Sequence, residues 1–136
     1  MALFQARASQ GRVERLRMRG MGEVFIGDTK VGEVLFALLG ISLCALIEAG
    51  DVDEDLAEKV LFNPYVMSLL IEAGADEALV DAIHRGTELG DIKKLAPHSS
   101  KETLVGIRSQ LAIVIKEREA IFLNDKVHYS FGSRLQ

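Results

Sequence analysis

The stretch Val34–Ile47, VLFALLGISLCALI, decides the fold. It is a run of 14 residues without a charge, bounded by Glu33 and Glu48. A membrane-spanning helix needs about 18 or more apolar residues, so the run reads as a buried core helix instead. Asp28 or Thr29 offers an N-cap before it, and Gly50 stands where a left-handed residue ends a helix. Being apolar on every side, this helix should be surrounded by other helices. Ala37, Gly40 and Cys44 fall at i, i+3 and i+7 and form a groove of small side chains. Glycine inside a helix costs about 1 kcal/mol relative to alanine, and close approach of a neighbouring helix would offset that. Cys44 is then a small buried hydrophobe, with no cation near it in sequence to favour a thiolate.

Outward from this run the punctuation is dense. Val52 and Ala57 flank Asp53 as a staple around an N-cap, and Glu54 and Asp55 put negative charge on the first helical turn. That helix can reach about Phe62. Asn63-Pro64 reads as a fresh N-cap followed by proline at the first helical position, opening a helix that stops at Gly74. Asp76 caps another, through Leu79, Val80 and Ile83, ending near Gly86. Helices this short, joined by two or three residues, must turn sharply on one another. The pentapeptide LIEAG occurs at Leu46–Gly50 and again at Leu70–Gly74. The copies are too close for an ankyrin repeat of about 33 residues, so they record two helices with the same glycine stop.

The last helix opens with a capping box, Ser99 with Glu102, after Pro97. Leu104, Ile107, Leu111, Val114, Ile115, Ile121 and Phe122 keep a three-to-four spacing on one face. At its centre Leu111–Ile115 is apolar all round, so Ile113 needs cover from outside the main core. The N-terminal arm, the C-terminal tail or a partner surface would supply it. In the tail, Val127, Tyr129 and Phe131 alternate with polar residues as a short strand, able to pair with Glu23–Ile26 or the arginine-rich segment.

The expected fold is mainly α, a compact bundle of short helices around a buried central apolar helix, with a small β element from the two termini. The 136 residues suit one domain, and a 49% hydrophobic, 26% charged composition is that of a globular chain. A single cysteine excludes an internal disulfide framework and a Cys-rich zinc site. The net charge of −4 is unevenly spread. Residues 1–22 carry Arg7, Arg12, Arg15, Arg17 and Arg19 against Glu14 alone, a net of +4. They form a basic arm, weakly ordered or edge-pairing, in which Leu16 and Met18 alternate with arginines as one edge strand would. Residues 23–136, the single helical domain with its short tail, carry a net of −8. Such a body repels nucleic acid and anionic membrane and favours basic partners.

One constellation has chemical character. Glu77, Asp81, His84 and Glu88 fall at i, i+4, i+7 and i+11, opposite the Leu79/Val80/Ile83 face. Carboxylates beside a histidine suit metal ligation or acid–base work. Gly86, however, interrupts the helix before Glu88, and no second Glu-x-x-His exists to complete a di-metal bundle. The plainer reading is a solvated face on which His84 and Arg85 complement the helix dipole, with Thr87 recapping the next helix. No phosphate-binding loop, nucleophile elbow or His-Glu-x-x-His occurs, and no metal or other cofactor is expected.

Taken together, GISLCALIEAG (40–50), LAEKVLFNPYVMSLL (56–70) and LVDAIHRGTELGDIKKLAP (79–97) resemble DUF3969, an uncharacterised bacterial family, over about residues 31–120. The resemblance implies a bacterial, cytoplasmic, mostly helical small protein and carries no activity with it. It draws attention to His84, Gly86, Thr87 and Glu88, and the candidate recognition or binding turn is taken as Asp81, His84, Thr87 and Glu88. The leading expectation is a non-catalytic protein acting through protein–protein interaction, as an inhibitor, immunity or adaptor protein does. Its partner would be another protein, basic in preference, or a second copy, with no membrane span and with Ile113 on the interaction surface. Two alternatives stand behind it. One is a metal-binding protein or enzyme using His84 with Asp81 and Glu88, and the other is RNA or anionic-surface binding through the arginine-rich arm.

Overall fold

A computed structural model describes the backbone of residues 4–9, 13–18, 22–26, 29–124 and 130–132, and the side chains of 29–120. Three strands come first: β1 (Phe4–Ser9), β2 (Val13–Met18) and β3 (Gly22–Ile26). Six helices follow: α1 (Thr29–Ala49), α2 (Glu54–Val60), α3 (Pro64–Glu72), α4 (Glu77–Gly86), α5 (Leu89–Leu95) and α6 (Ser100–Asn124). The strand β4 (Ser130–Gly132) comes after them. The fold is mainly α, a compact packing of helices in which α1 and α6 make the most extensive contact.

The short helices stop where their sequence stops them. Asp53 caps α2 through the Asp55 amide at 2.8 Å, and Asp76 caps α4 through the Ala78 amide at 2.8 Å. Asn63 serves two helices. Its Oδ1 accepts from the Val66 amide at the start of α3, while its Nδ2 donates to the Glu58 and Lys59 carbonyls at the end of α2. Both LIEAG copies close in one way. Gly50 and Gly74 have φ of 80° and 75°, and the residue after each glycine donates back to the leucine that opens the pentapeptide, Asp51 to Leu46 and Ala75 to Leu70. This is the six-to-one bond of a left-handed helix terminus, which glycine adopts without steric penalty.

α1 and α6 run antiparallel. Glu33 meets Arg118 at 3.2 Å near one end of the pair, and Glu48 meets Arg108 at 3.3 Å near the other. Between them the small-residue groove does what its spacing predicted. A Cβ on Gly40 would lie 2.5 Å from Leu111 Cδ1 and 3.3 Å from Leu61 Cδ2. Below the groove Phe62, Leu61, Leu79, Ile83, Ile107 and Leu111 are fully buried, with Cys44 among them. Burial pushes the Cys44 thiol up to about 12, against a smaller opposing pull from Arg108. The thiol stays protonated, as a packing group should.

The stripes of α1 and α6 both end in charge. Glu33 is 3% exposed, and its Oε2 accepts from the Asp76 amide at 2.9 Å. Arg118 Nη2 bridges that carboxylate and Asp76 Oδ2, the latter at 2.8 Å. One guanidinium therefore ties the beginning of α1, the cap of α4 and the far part of α6. The Ala78 amide first, then Arg118, hold the Asp76 carboxyl below its ordinary value, while partial burial works against them.

Three expectations need correction and one needs completion. First, α1 is not covered on every side: Leu38, Leu39 and Leu46 lie on an open face. The helix also extends past the uncharged run at its N-terminal end, and at 21 residues it is long and apolar enough to cross a membrane by length and composition. Half of its most apolar window is buried inside the domain. Second, Gly86 ends α4 as its position in the sequence suggested, but its lack of a Cβ has a further reason: a Cβ there would run into the Phe62 ring. Third, the Ser99–Glu102 box does not form. A 3₁₀ turn, Pro97–Ser99, leads into α6, and the Ser99 carbonyl accepts from Thr103 Oγ1 at 2.9 Å. Fourth, the sheet order is β1-β2-β3-β4, all antiparallel, so the Leu16–Met18 segment sits in an interior strand, where ladder bonds are satisfied on both sides. Of the two pairings foreseen for the tail, the one with Glu23–Ile26 occurs, over Ser130–Gly132. The Asp28 cap and the Val127 and Tyr129 positions lie outside the described residues, as do the side chains of Ile121 and Phe122.

Two glycines, four residues apart, should respond oppositely to alanine. Gly86→Ala forces a methyl against a buried ring and should lose about 1–3 kcal/mol by overpacking. Gly90, with nothing within 4 Å of the built Cβ, should gain up to about 1 kcal/mol from helix propensity. Urea unfolding of the two variants measures both signs. The cap also predicts a pH dependence. Asp76 is lowered in the folded state, so its contribution is present above the unfolded value near 3.8 and fades as pH falls through the folded one. Asp76→Ala should therefore lie below wild type by about 0.5–2 kcal/mol at pH 7, and the gap should narrow at pH 3.

Candidate interaction surface

The sequence-predicted turn is built at the junction of α4 and α5. Asp81, one turn before His84, is already engaged. Its Oδ2 accepts from Gln110 Nε2 at 2.8 Å, and the same nitrogen lies 2.9 Å from the Ala78 carbonyl. Gln110 Oε1 in turn accepts from Arg85 Nη1 at 2.9 Å. The Arg85 guanidinium lies over Gly106, whose missing side chain leaves the room for it: a Cβ there would sit 2.5 Å from Nη2. One glutamine of α6 thus latches three residues of α4, Ala78 and Asp81 before the exposed His84 and Arg85 after it.

Thr87 does not recap α5. Its Oγ1 donates to the His84 carbonyl at 2.6 Å and its amide to the Ile83 and His84 carbonyls, so it closes α4. Glu88, exposed, takes the N-cap position of α5 without a side-chain bond. His84 and Arg85 do fall in the last turn of α4, where positive charge complements the dipole. The four candidate residues are therefore neighbours along the chain, but they do not converge on one point. Among the described residues no group of three His, Cys, Asp or Glu side chains is placed to hold a metal. Asp81 Oδ2 is engaged by Gln110, and Glu88 stands past the end of α4.

Larger and chemically more uniform is the outer side of α1. Leu38, Leu39, Ser42, Ala45 and Leu46 are exposed there and Leu35 is half-buried, with no charge among them. Leu38 keeps 47% of its surface open. At 100° per residue these positions occupy one side of the helix, opposite the Glu33, Ala37, Gly40 and Cys44 stripe that packs inward. α6 also exposes Val105, Ala112 and Ile113, with Ile113 at 56% exposure, on the side of α6 turned away from the Leu111 and Arg108 contacts with α1. Aliphatic side chains gathered on one open helix side, as on α1, are the kind of patch on which something docks. Ile113 was legible in sequence as a residue in need of cover. The α1 face was not, because a helix apolar all round gives no sign of which side the core will take. Gln110, Glu33 and Arg118 were also missed as organising residues.

No curated protein and no solved structure matches the chain. The family described as a protein of unknown function, DUF3969, matches residues 28–129, which takes in all six helices, the α4–α5 turn and the open face of α1. The chain belongs to DUF3969.

Proposed function

We propose that the protein is a non-catalytic interaction module, cytoplasmic and bacterial, that docks another protein on the open face of α1. The observation that carries this reading is the uncharged face from Leu35 to Leu46, exposed on a helix whose opposite side is locked into the core. Burying a half-open leucine gives about 1 kcal/mol or more at roughly 25 cal/mol per Å². Several on one helix side make the kind of anchor that a partner helix or groove uses. The acidic surround favours a partner with a basic rim around an apolar centre. The separation of Asp81, His84 and Glu88 argues against an acid–base or metal centre in the turn. The turn's exposed His84 and Glu88 fit better as polar contacts at a rim.

Membrane insertion is the competing use of an apolar face on a helix of this length. Glu33 and its ion pairs at one end, and the close approach of Gly40 to Leu111 at the centre, favour a helix built into a domain.

A photo-crosslinking amino acid placed at position 38 in the full chain, in cells, should give one discrete protein adduct. The same probe at position 91, on the exposed part of α5, should not. The adduct should vanish in Leu39→Glu/Leu46→Glu, whose stability in urea should stay within about 1 kcal/mol of wild type because both side chains are already half-open. Equal labelling at both positions, or none at 38, would remove the proposal.

A further inference from the structure

The outer side of α6 differs from that of α1, because it carries one charge of each sign, placed symmetrically. Ser109 is exposed near the middle of the helix. Glu102 and Lys116, both exposed, stand two helical turns before and after it, so all three share one side. Between them that side presents Val105, Ala112 and Ile113, all exposed and uncharged. Arg108 lies on the flank and is turned to Glu48 of α1.

A side with an acid at one end, a base at the other and aliphatic groups around a small centre is complementary to itself run backwards. Turned end for end about a two-fold axis at Ser109, a second α6 brings its Lys116 level with Glu102 and its Ile113 level with Val105. Symmetry then makes each contact twice. Ser109 and Ala112 are small enough to let the helices approach closely. A parallel pair would instead set Glu102 against Glu102 and Lys116 against Lys116. Sliding the antiparallel pair by a turn would part each acid from its base. Charge therefore selects one direction and one register. Both residues are available for this. Lys116 meets Glu119 at 3.3 Å one turn on, but its side chain is 80% open, and such an exposed pair is worth little. No ion pair holds Glu102 among the described residues.

We propose that this side of α6 is the interface of a homodimer, two copies packed antiparallel about Ser109. Ile113 then receives its cover from Val105 of the second copy. Contact along about four helical turns is small beside the roughly 800 Å² per partner of a stable complex. The dimer is accordingly reversible, with Kd on the order of 10–100 μM. The net −7 of residues 29–124 opposes association at long range, but at about 150 mM salt that field decays within about 8 Å, while the paired groups touch. This interface is separate from the open face of α1, and either proposal can fail without the other.

The test follows the full chain by sedimentation equilibrium at about 150 mM salt, up to about 500 μM, where the average mass should climb toward twice that of one chain. Lys116→Glu and Glu102→Lys each set like charges together at both contacts, and each should raise Kd about tenfold or more. Mixed together, the two variants should form a dimer that neither forms alone, because each meets the opposite sign in the other. The double variant Glu102→Lys/Lys116→Glu should return to within about threefold of wild type. Ser109→Cys brings two thiols together at the axis, and a short bismaleimide should link them. Glu102→Cys leaves its thiols about 20 Å apart by helical rise and should give little linked dimer. Cys44, buried, does not interfere. Circular dichroism establishes that each variant folds, and the mixture and the double variant separate a lost interface from a lost fold. A chain that stays monomeric up to about 500 μM overturns the proposal. So does a dimer that both charge reversals leave intact, or one that Leu39→Glu/Leu46→Glu abolishes and Lys116→Glu spares.

Discussion

Arg118 reaches from α6 to two carboxylates, one on the first turns of α1 and one at the cap of α4, and the alignment of the bundle depends on that bridge. Glu33 is nearly inaccessible and spends one oxygen on both the guanidinium and the Asp76 amide. Taking these charges from water costs several kcal/mol each, and their attraction repays this only with good geometry. The net gain in stability is therefore small. Breaking it is a different matter, because each survivor would be left in a poorly solvated place. What the bridge selects is register. Sliding α6 by one turn along α1 would separate Arg118 from Glu33 while leaving most aliphatic contacts replaceable. Gly40 adds a second lock, since it admits Leu111 at one level along the pair.

The location of this lock relates the bundle to the sheet. Glu33 lies soon after β3 ends at Ile26, and Arg118 lies shortly before the chain returns as β4. The antiparallel helices α1 and α6 thus continue at this end into strands that are themselves antiparallel neighbours. Setting the register of α6 on α1 sets where those two strands begin and leave. At the opposite end Glu48 and Arg108 make a more exposed pair, which is worth less in solvent. The bundle is fastened most firmly where the sheet joins it.

Much of this architecture was legible because local rules governed it. Asp53, Asn63-Pro64 and Asp76 announced helix starts, and the two LIEAG copies announced helix ends, since a cap needs only a few neighbouring residues to form. The Ala37/Gly40/Cys44 spacing announced a close helix contact. Two misses were local, Ser99 entering a 3₁₀ turn and Thr87 closing α4, while others depended on residues distant in sequence. Gly86 ends α4 as read, but its missing Cβ also makes room for Phe62, 24 positions earlier. Asp81 looked free for His84, but Gln110 had claimed it. The charged pair was the most readable of the misses. Glu33 continues the Ala37/Gly40/Cys44 stripe backwards and Arg118 continues the Leu104/Ile107/Leu111/Val114 stripe forwards. Opposite charges at buried positions on two helices require one another. The open side of α1 gave no such sign, because a helix without polar residues does not record which side faces outward.

Charge and apolar surface are placed apart in this chain, and each placement has a physical consequence. The helical part, residues 29–124, carries a net charge of −7 yet has no charge on the outer side of α1 from Leu35 to Leu46. An uncharged stripe exerts no long-range attraction by itself. In the docking proposed above, the net charge of the domain would draw in a basic partner and the stripe would retain it by burial. Removing acidic residues would then slow arrival, while removing leucines within the stripe would speed departure.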